Sequence, residues 1–363
     1  MRERNALSKL KPYVPGKKHS GTVKLSSNEN PLGPSPRARN ALFNIADSLH
    51  RYPDKEATGL REGIARLYDV EPDQVIVGNG SDEIMTMIAG TFLNPGEESI
   101  TAAHTFSQYT FATLLFDGTL TYAPMDDARF DLEAMLQRLS SKTRIVFLCN
   151  PNNPTSTYFS HDELVAFLDR VPSEVLVVLD EAYAEYADAE DFPDSYALLP
   201  RYPNLLVLRT FSKIYGLAGL RIGYGIGAPE LIASLEKVRQ PFNVSLAAQY
   251  AGEAALEDWE FVQQSRELTL AGKAYLYEKL KELGIRHYAS QTNFLFIQVP
   301  EGETADRFVP RVAEGGATVR PLTSFGLPEW IRVTVGTEED NQQFLQALRH
   351  ALQYEAQHGQ PGT

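Results

Sequence analysis

Five short runs of apolar, often β-branched residues recur along the chain, and most of them end abruptly in a cluster of polar residues. They are Val75-Ile76-Val77, 144–149 (RIVFLC), 174–179 (EVLVVL), 204–208 (NLLVL) and 220–226 (LRIGYGI). A run this short, apolar on both faces, suits a strand covered on both sides. A helical pattern at 58–68 precedes the first run, and others lie between the runs, from Ser81 to Phe92 and at 161–170, where Ser160 and Glu163 spell a capping box. Strand and helix in turn predict an α/β fold with a mostly parallel central sheet. Beyond a long helical region at 230–284, the texture changes. Shorter alternating pieces at 285–299, 317–321 and 330–335 interleave with helices near 303–314 and 338–354, which predicts a smaller α+β unit.

Pro12, Pro15, Gly16, Pro31, Gly33, Pro34 and Pro36 forbid one long helix over residues 1–35, so an extended arm is expected there. The expected division is this arm, a large domain over 36–265 and a small C-terminal domain over 266–363, joined in space by part of the N-terminal segment. With 363 residues, 43% of them hydrophobic, the chain has ample material for such cores.

A net charge of −13 repels phosphate backbones and anionic lipid. The cluster Lys9, Lys11, Lys17 and Lys18 reads as a solvated arm, so no nucleic-acid partner is expected. The single cysteine, Cys149, excludes an intramolecular disulfide and a multi-cysteine zinc site; no metal is expected. The opening MRERNALSKLKPY has no apolar leader-like stretch, and no apolar run approaches the roughly 18 residues needed to span a bilayer. The expectation is a soluble cytoplasmic protein with no membrane partner.

In parallel α/β sheets ligands sit beyond the carboxyl ends of the strands. Those positions carry Gly78-Asn79-Gly80-Ser81-Asp82-Glu83, Asn150-Pro151-Asn152-Asn153-Pro154-Thr155, Asp180-Glu181-Ala182-Tyr183 and Arg209-Thr210-Phe211-Ser212-Lys213. Gly78-x-Gly80-Ser81 opening a helix offers free N–H groups and a positive dipole end to a phosphate, although glycine-rich turns also join strands to helices with no ligand. Asp180 is either a buried carboxylate needing a cation or a helix N-cap. Lys213 is either a solvent handle or a Schiff-base nucleophile whose pKa is lowered by burial and by nearby Arg221.

These segments, with Leu25-Ser26-Ser27-Asn28-Glu29-Asn30-Pro31, Arg51-Tyr52-Pro53, Thr210-Phe211-Ser212-Lys213, Ala218-Gly219-Leu220-Arg221, Thr292-Asn293-Phe294 and Arg332-Val333-Thr334-Val335-Gly336, resemble the fold-type I pyridoxal-phosphate aminotransferases. Within them the chain is most similar to the histidinol-phosphate aminotransferases, nearly end to end. The resemblance implies pyridoxal 5'-phosphate as cofactor, with Lys213 forming the internal aldimine and shuttling the proton. Asp180 would pair with the pyridinium nitrogen, and Asn153 and Tyr183 with the phenolic oxygen. Ser81, Asp82, Ser212 and Arg221 would hold the phosphate, Tyr52 would reach it from a neighbouring subunit, and Glu83, Thr210 and Phe106 complete the cofactor contacts. Tyr13, Asn30, Arg320 and Arg332 would bind substrate. The implied reaction is ping-pong transamination between L-histidinol phosphate and 2-oxoglutarate, giving imidazole-acetol phosphate and L-glutamate in histidine biosynthesis, by a homodimer with shared sites. Alternatives are an aromatic amino acid aminotransferase and a threonine-phosphate decarboxylase.

Two departures from the family pattern stand out. His104-Thr105-Phe106 replaces the usual Pro-Thr-Tyr, so Phe106 stacks without a hydroxyl and His104 is expected to take the proline's structural place. Ser156 replaces a glycine, so the backbone angle there is expected to be at issue.

Overall fold

The computed structural model describes residues 1–10, 12 and 21–358. The first third contains β1 (Val23–Lys24), α1 (Pro36–Asn44), α2 (Thr58–Tyr68), β2 (Val75–Gly78), α3 (Ser81–Phe92), β3 (Glu98–Ala102), α4 (Gln108–Leu115) and β4 (Thr119–Ala123). Then come the hairpin strands β5 (Met125–Asp126) and β6 (Arg129–Phe130), α5 (Leu132–Leu136), β7 (Thr143–Cys149), α6 (His161–Leu168), β8 (Leu176–Asp180) and α7 (Ser195–Leu198). They are followed by β9 (Leu205–Thr210), β10 (Gly223–Gly227), α8 (Pro229–Glu236), α9 (Leu246–Leu256) and α10 (Trp259–Glu282). The last part holds β11 (Phe294–Gln298), α11 (Ala305–Glu314), β12 (Ala317–Thr318), β13 (Arg320–Pro321), β14 (Trp330–Thr334) and α12 (Glu338–His358).

Seven strands form the central sheet in the order β2-β10-β9-β8-β7-β3-β4. Only β10 runs against its neighbours, and the remaining pairs are parallel. Strands β8, β9 and β10 are buried at every position, in keeping with their apolar runs, and the burial extends to the polar residues Asp180, Arg209 and Thr210 at the ends of β8 and β9. Helix α3 covers the predicted residues, and α6 begins with the capping box of Ser160 and Glu163. Strands β3 and β4 escape sequence reading because polar residues alternate through them. Thr101 is nevertheless buried, its hydroxyl donating to the Phe147 carbonyl at 3.0 Å.

The helical region at 230–284 is three helices rather than one. Pro241 interrupts it, and Ser245 restarts it by accepting from Ala248 N at the head of α9. In 285–299 the strand proper starts only at Phe294.

A second core gathers the three-stranded sheet β11-β14-β13 under α11 and α12. The N-terminal arm enters it: β1 pairs in parallel with β12, and Leu25 is buried there. Helix α10 places Val262 in the first core and Leu276 and Leu280 in the second, so the boundary expected at 265/266 falls inside one continuous helix. The cleft between the two cores is thus crossed by the arm and by α10. Among the described residues, no helix is long and apolar enough to cross a membrane.

Candidate active site

Asp180 is the last residue of β8 and 2% exposed. Its Oδ2 accepts from the Tyr109 hydroxyl at 2.7 Å and its Oδ1 from Ala182 N at 3.2 Å. Burial pushes this carboxyl up to about 6, against the lowering effect of these two donors and of Lys213. Tyr109 cannot move away: its ring stacks on Phe147 at 4.8 Å, and Phe106 meets it edge-on at 5.8 Å. Cys149, one strand over, has its thiol pushed up to about 12 by burial and by Asp180, so it stays protonated and unreactive.

Lys213 lies in the turn after β9. Thr210 shapes that turn, its Oγ1 accepting from Ser212 N at 3.1 Å. The Lys213 amine donates to the Ser27 carbonyl at 3.4 Å and sits 5.6 Å from the centre of the Tyr183 ring. Burial and the Arg332 charge bring it down to about 8, so that about a tenth of the amine is neutral at pH 7.

Two glycines shape the head of α3. Gly80 has φ +81°, and a Cβ there would lie 2.7 Å from Arg221 Nη2; a Cβ at Gly223 would lie 2.4 Å from Ser81 N. Two missing side chains therefore let β10 and Arg221 close over the first N–H groups of the helix. Arg221 donates to Asp82 Oδ2 at 3.1 Å and to Ser212 Oγ at 3.4 Å. Burial raises the Asp82 carboxyl, while Arg221 and Lys213 counter it. Helix N-terminus, guanidinium and hydroxyl together make an anion cradle. Glu83 shapes the turn, its Oε2 accepting from Asn79 N at 2.7 Å and Asn243 Nδ2 at 2.8 Å.

On the facing side, Arg332 of β14 donates to Asn153 Oδ1 at 2.6 Å and to the Ser26 carbonyl at 2.9 Å. Arg320 on β13 is its direct cross-strand neighbour. The Tyr183 hydroxyl accepts from Asn28 Nδ2 at 2.9 Å, and burial pushes this phenol up to about 12.

One cleft therefore joins Asp180, Lys213, Asp82, Ser212, Arg221, Asn153, Tyr183 and Arg332. Asn30 stands beside it, its amide donating to the Ile214 carbonyl and to Ser265 Oγ, both at 2.8 Å, so that it clamps the Lys213 turn to the arm. Tyr52 is 82% exposed, its ring stacked on Phe242 at 4.8 Å on the outer surface. Tyr13 lies outside the described residues. The Nδ1 of His104 is 2.7 Å from the Phe325 carbonyl, linking the two units. Ser156 keeps a left-handed backbone with φ 63°, the angle glycine takes without strain. Sequence reasoning missed two residues, Tyr109 and Asn28. Tyr109 had one faint signal, a place three residues after Phe106 on a helix start; for Asn28, a residue in a proline-rich arm, no sequence signal tells what it meets.

The cleft suits a ligand with an anion at one end, a ring nitrogen that gains from a carboxylate, and a carbonyl within reach of an amine. Comparison with known proteins agrees. Residues 20–348 match the family model described as aminotransferase class I and II. Histidinol-phosphate aminotransferase of Moorella thermoacetica is 45% identical over 359 residues, covering 96% of this chain and 92% of that one. Its counterpart in Geobacillus thermodenitrificans is 44% identical, covering 97% and 98%. The crystal structure of Sinorhizobium meliloti histidinol-phosphate aminotransferase in complex with pyridoxal-5'-phosphate superposes with a TM-score of 0.89 at 26% identity, covering 97% of this chain and 98% of that one. Sequence match, chain coverage and shared fold agree, and the chain belongs to the class I and II aminotransferase family.

Proposed function

We propose that the chain is a pyridoxal 5'-phosphate-dependent histidinol-phosphate aminotransferase, exchanging the amino group between L-histidinol phosphate and 2-oxoglutarate in histidine biosynthesis. The observation that carries this reading is the meeting of a buried amine of lowered pKa, a buried carboxylate and an anion cradle in one cleft. The relatives at 41–45% identity bear the same name, which favours histidinol phosphate over aromatic amino acids and over decarboxylation.

When bound, the cofactor supplies an aldehyde for an amine and a pyridine ring that accepts carbanion charge. The chain's residues do the rest. Asp180, held by Tyr109, keeps a proton on the ring nitrogen. The Lys213 amine would carry the proton between the substrate α-carbon and the cofactor's aldehyde carbon, a task its lowered pKa favours. Tyr183 and the Asn153 amide donate to the ring oxygen; Arg332 engages Asn153 through Oδ1, which leaves the amide nitrogen for that bond. Ser81 N, Ser212 and Arg221 grip the phosphate, Asp82 orients Arg221, and Glu83 and Thr210 fix the turns that present them. Phe106 covers one ring face. Arg332 forks onto the substrate anion, with Arg320 at the substrate phosphate and Asn30 setting the wall beside Lys213.

Tyr52 is exposed, stacked on the exposed ring of Phe242, and Tyr250 is a further exposed aromatic residue. A homodimer in which Tyr52 completes the neighbour's phosphate site accounts for both. We further assign an arm (1–35), a cofactor domain (36–265) and a small domain (266–363), supported by the two cores, and place the enzyme in the cytoplasm, in keeping with its single buried cysteine.

The test is kcat/KM for histidinol phosphate, tyrosine and phenylalanine with 2-oxoglutarate as common acceptor. Histidinol phosphate should lead. A higher value for either aromatic acid would move the assignment to aromatic transamination, and carbon dioxide release without an acceptor would make the protein a lyase.

A further inference from the structure

We propose that Asn28 is a positioning residue that sets the direction in which Tyr183 donates its proton, and that through it the small sheet controls the hydrogen bond Tyr183 gives in the cleft. This rests on the reading of Tyr183 above.

A phenol has one proton. The Tyr183 oxygen accepts from Asn28 Nδ2 at 2.9 Å, and an amide nitrogen cannot accept in return, so the phenolic proton must point elsewhere. The identity of that amide nitrogen follows from its partners. Asn28 Oδ1 accepts from the Thr334 hydroxyl at 3.2 Å, and the oxygen of that hydroxyl accepts from Asn28 N at 2.9 Å. The pair is reciprocal: the buried Thr334 oxygen already accepts from Asn28 N, and flipping the amide would take away the acceptor of the Thr334 proton. Asn293 Nδ2 adds a bond to the Asn28 carbonyl at 3.1 Å. These bonds hold Asn28 at φ 56°, a left-handed backbone that asparagine tolerates better than most residues. The Tyr183 ring is equally fixed: it is buried, and Phe294 meets it edge-on at 5.2 Å.

The neighbours of Asn28 extend the argument. The Ser26 carbonyl accepts from Arg332 and the Ser27 carbonyl from Lys213. Residues 26 to 28 therefore touch the substrate anchor, the amine and the phenol in turn. Thr334 and Arg332 share β14, so movement of the anchor strand reaches Tyr183 through Asn28.

A hydroxyl donating to the cofactor's ring oxygen competes for that oxygen with the neighbouring protonated nitrogen. Losing the donor therefore raises the midpoint of the pH titration of visible absorbance in the cofactor-loaded enzyme. Asn28→Gly keeps the left-handed backbone and removes the amide. Its midpoint should rise by about one pH unit, as should that of Tyr183→Phe, while adding Asn28→Gly to Tyr183→Phe should leave the midpoint where it is. A Tm lowered with an unmoved midpoint, or an equal shift in both backgrounds, would overturn the proposal, since a merely structural Asn28 would behave so. If Tyr183→Phe itself left the midpoint unmoved, the reading of Tyr183 would be at fault and the proposal would fall with it. Asn28→Asp is the second variant should the glycine protein not fold. It keeps the acceptor toward Thr334 but turns the phenolic proton toward residue 28, so its shift should be larger in the otherwise unaltered enzyme than in the Tyr183→Phe background. Equal shifts would overturn the proposal.

Discussion

At Asp180, burial and hydrogen bonding pull in opposite directions. Desolvation raises its pKa, and the Tyr109 hydroxyl and Ala182 N–H lower it, so ionisation depends on donors that position it as well as on the cofactor. Tyr109→Phe keeps the ring stacked on Phe147 but removes a hydrogen bond to a charged group, worth about 1.5–3 kcal/mol. Steady-state kinetics should show kcat/KM down by about tenfold or more with the fold retained. An unchanged value would show that the hydroxyl contributes nothing to the carboxylate's role. Lys213 gives a second prediction. Its amine is depressed to about 8, so the neutral fraction of the apoenzyme grows as pH rises and levels off above that value. Stopped-flow capture of pyridoxal 5'-phosphate should accelerate with pH up to about 8; a rate still climbing toward the ordinary lysine value near 10.4 would mean the amine is not held as described. Lys213→Ala should abolish transamination while leaving a soluble protein.

At the scale of elements, the anion cradle depends on β10 lying directly over the head of α3. A methyl group at Gly223 would meet Ser81 N at 2.4 Å, so Gly223→Ala must push the strand and the helix apart. Equilibrium dialysis of the apoenzyme should show the cofactor Kd raised by about tenfold or more, a loss of about 1.4 kcal/mol. An unchanged Kd would mean the cradle does not hold the phosphate. Elements whose signals are local were legible in the sequence: α3 with its glycine turn, α6 with its capping box, and β8 and β9 with their apolar runs. Strands β3 and β4 were not, because polar residues alternate through both: β4 is buried only at Ala123, and Thr101 of β3 satisfies its hydroxyl on a carbonyl 46 residues away.

For the molecule as a whole, the arm and α10 tie two cores together across the cleft, and His104 adds a contact from the end of β3 to Phe325. The polar clusters at the ends of β2, β7, β8 and β9 were legible in the sequence because each apolar run stops abruptly in one. Asn28 and Tyr109 were not, since each matters through a partner more than 70 residues away that only tertiary folding supplies. The dimer is testable at this scale. Tyr52→Ala and Lys213→Ala proteins, each poorly active alone, should regain activity when mixed and allowed to exchange subunits, because one hybrid site is then intact. Mixtures no more active than the sum of their parts would show that Tyr52 serves no neighbouring site.

The most direct measurement is borohydride reduction of the cofactor-loaded enzyme followed by peptide mapping with mass spectrometry. The account predicts a reduced pyridoxyl phosphate group on Lys213 and no label in Lys213→Ala. Label on any other lysine, or none at all, would contradict it.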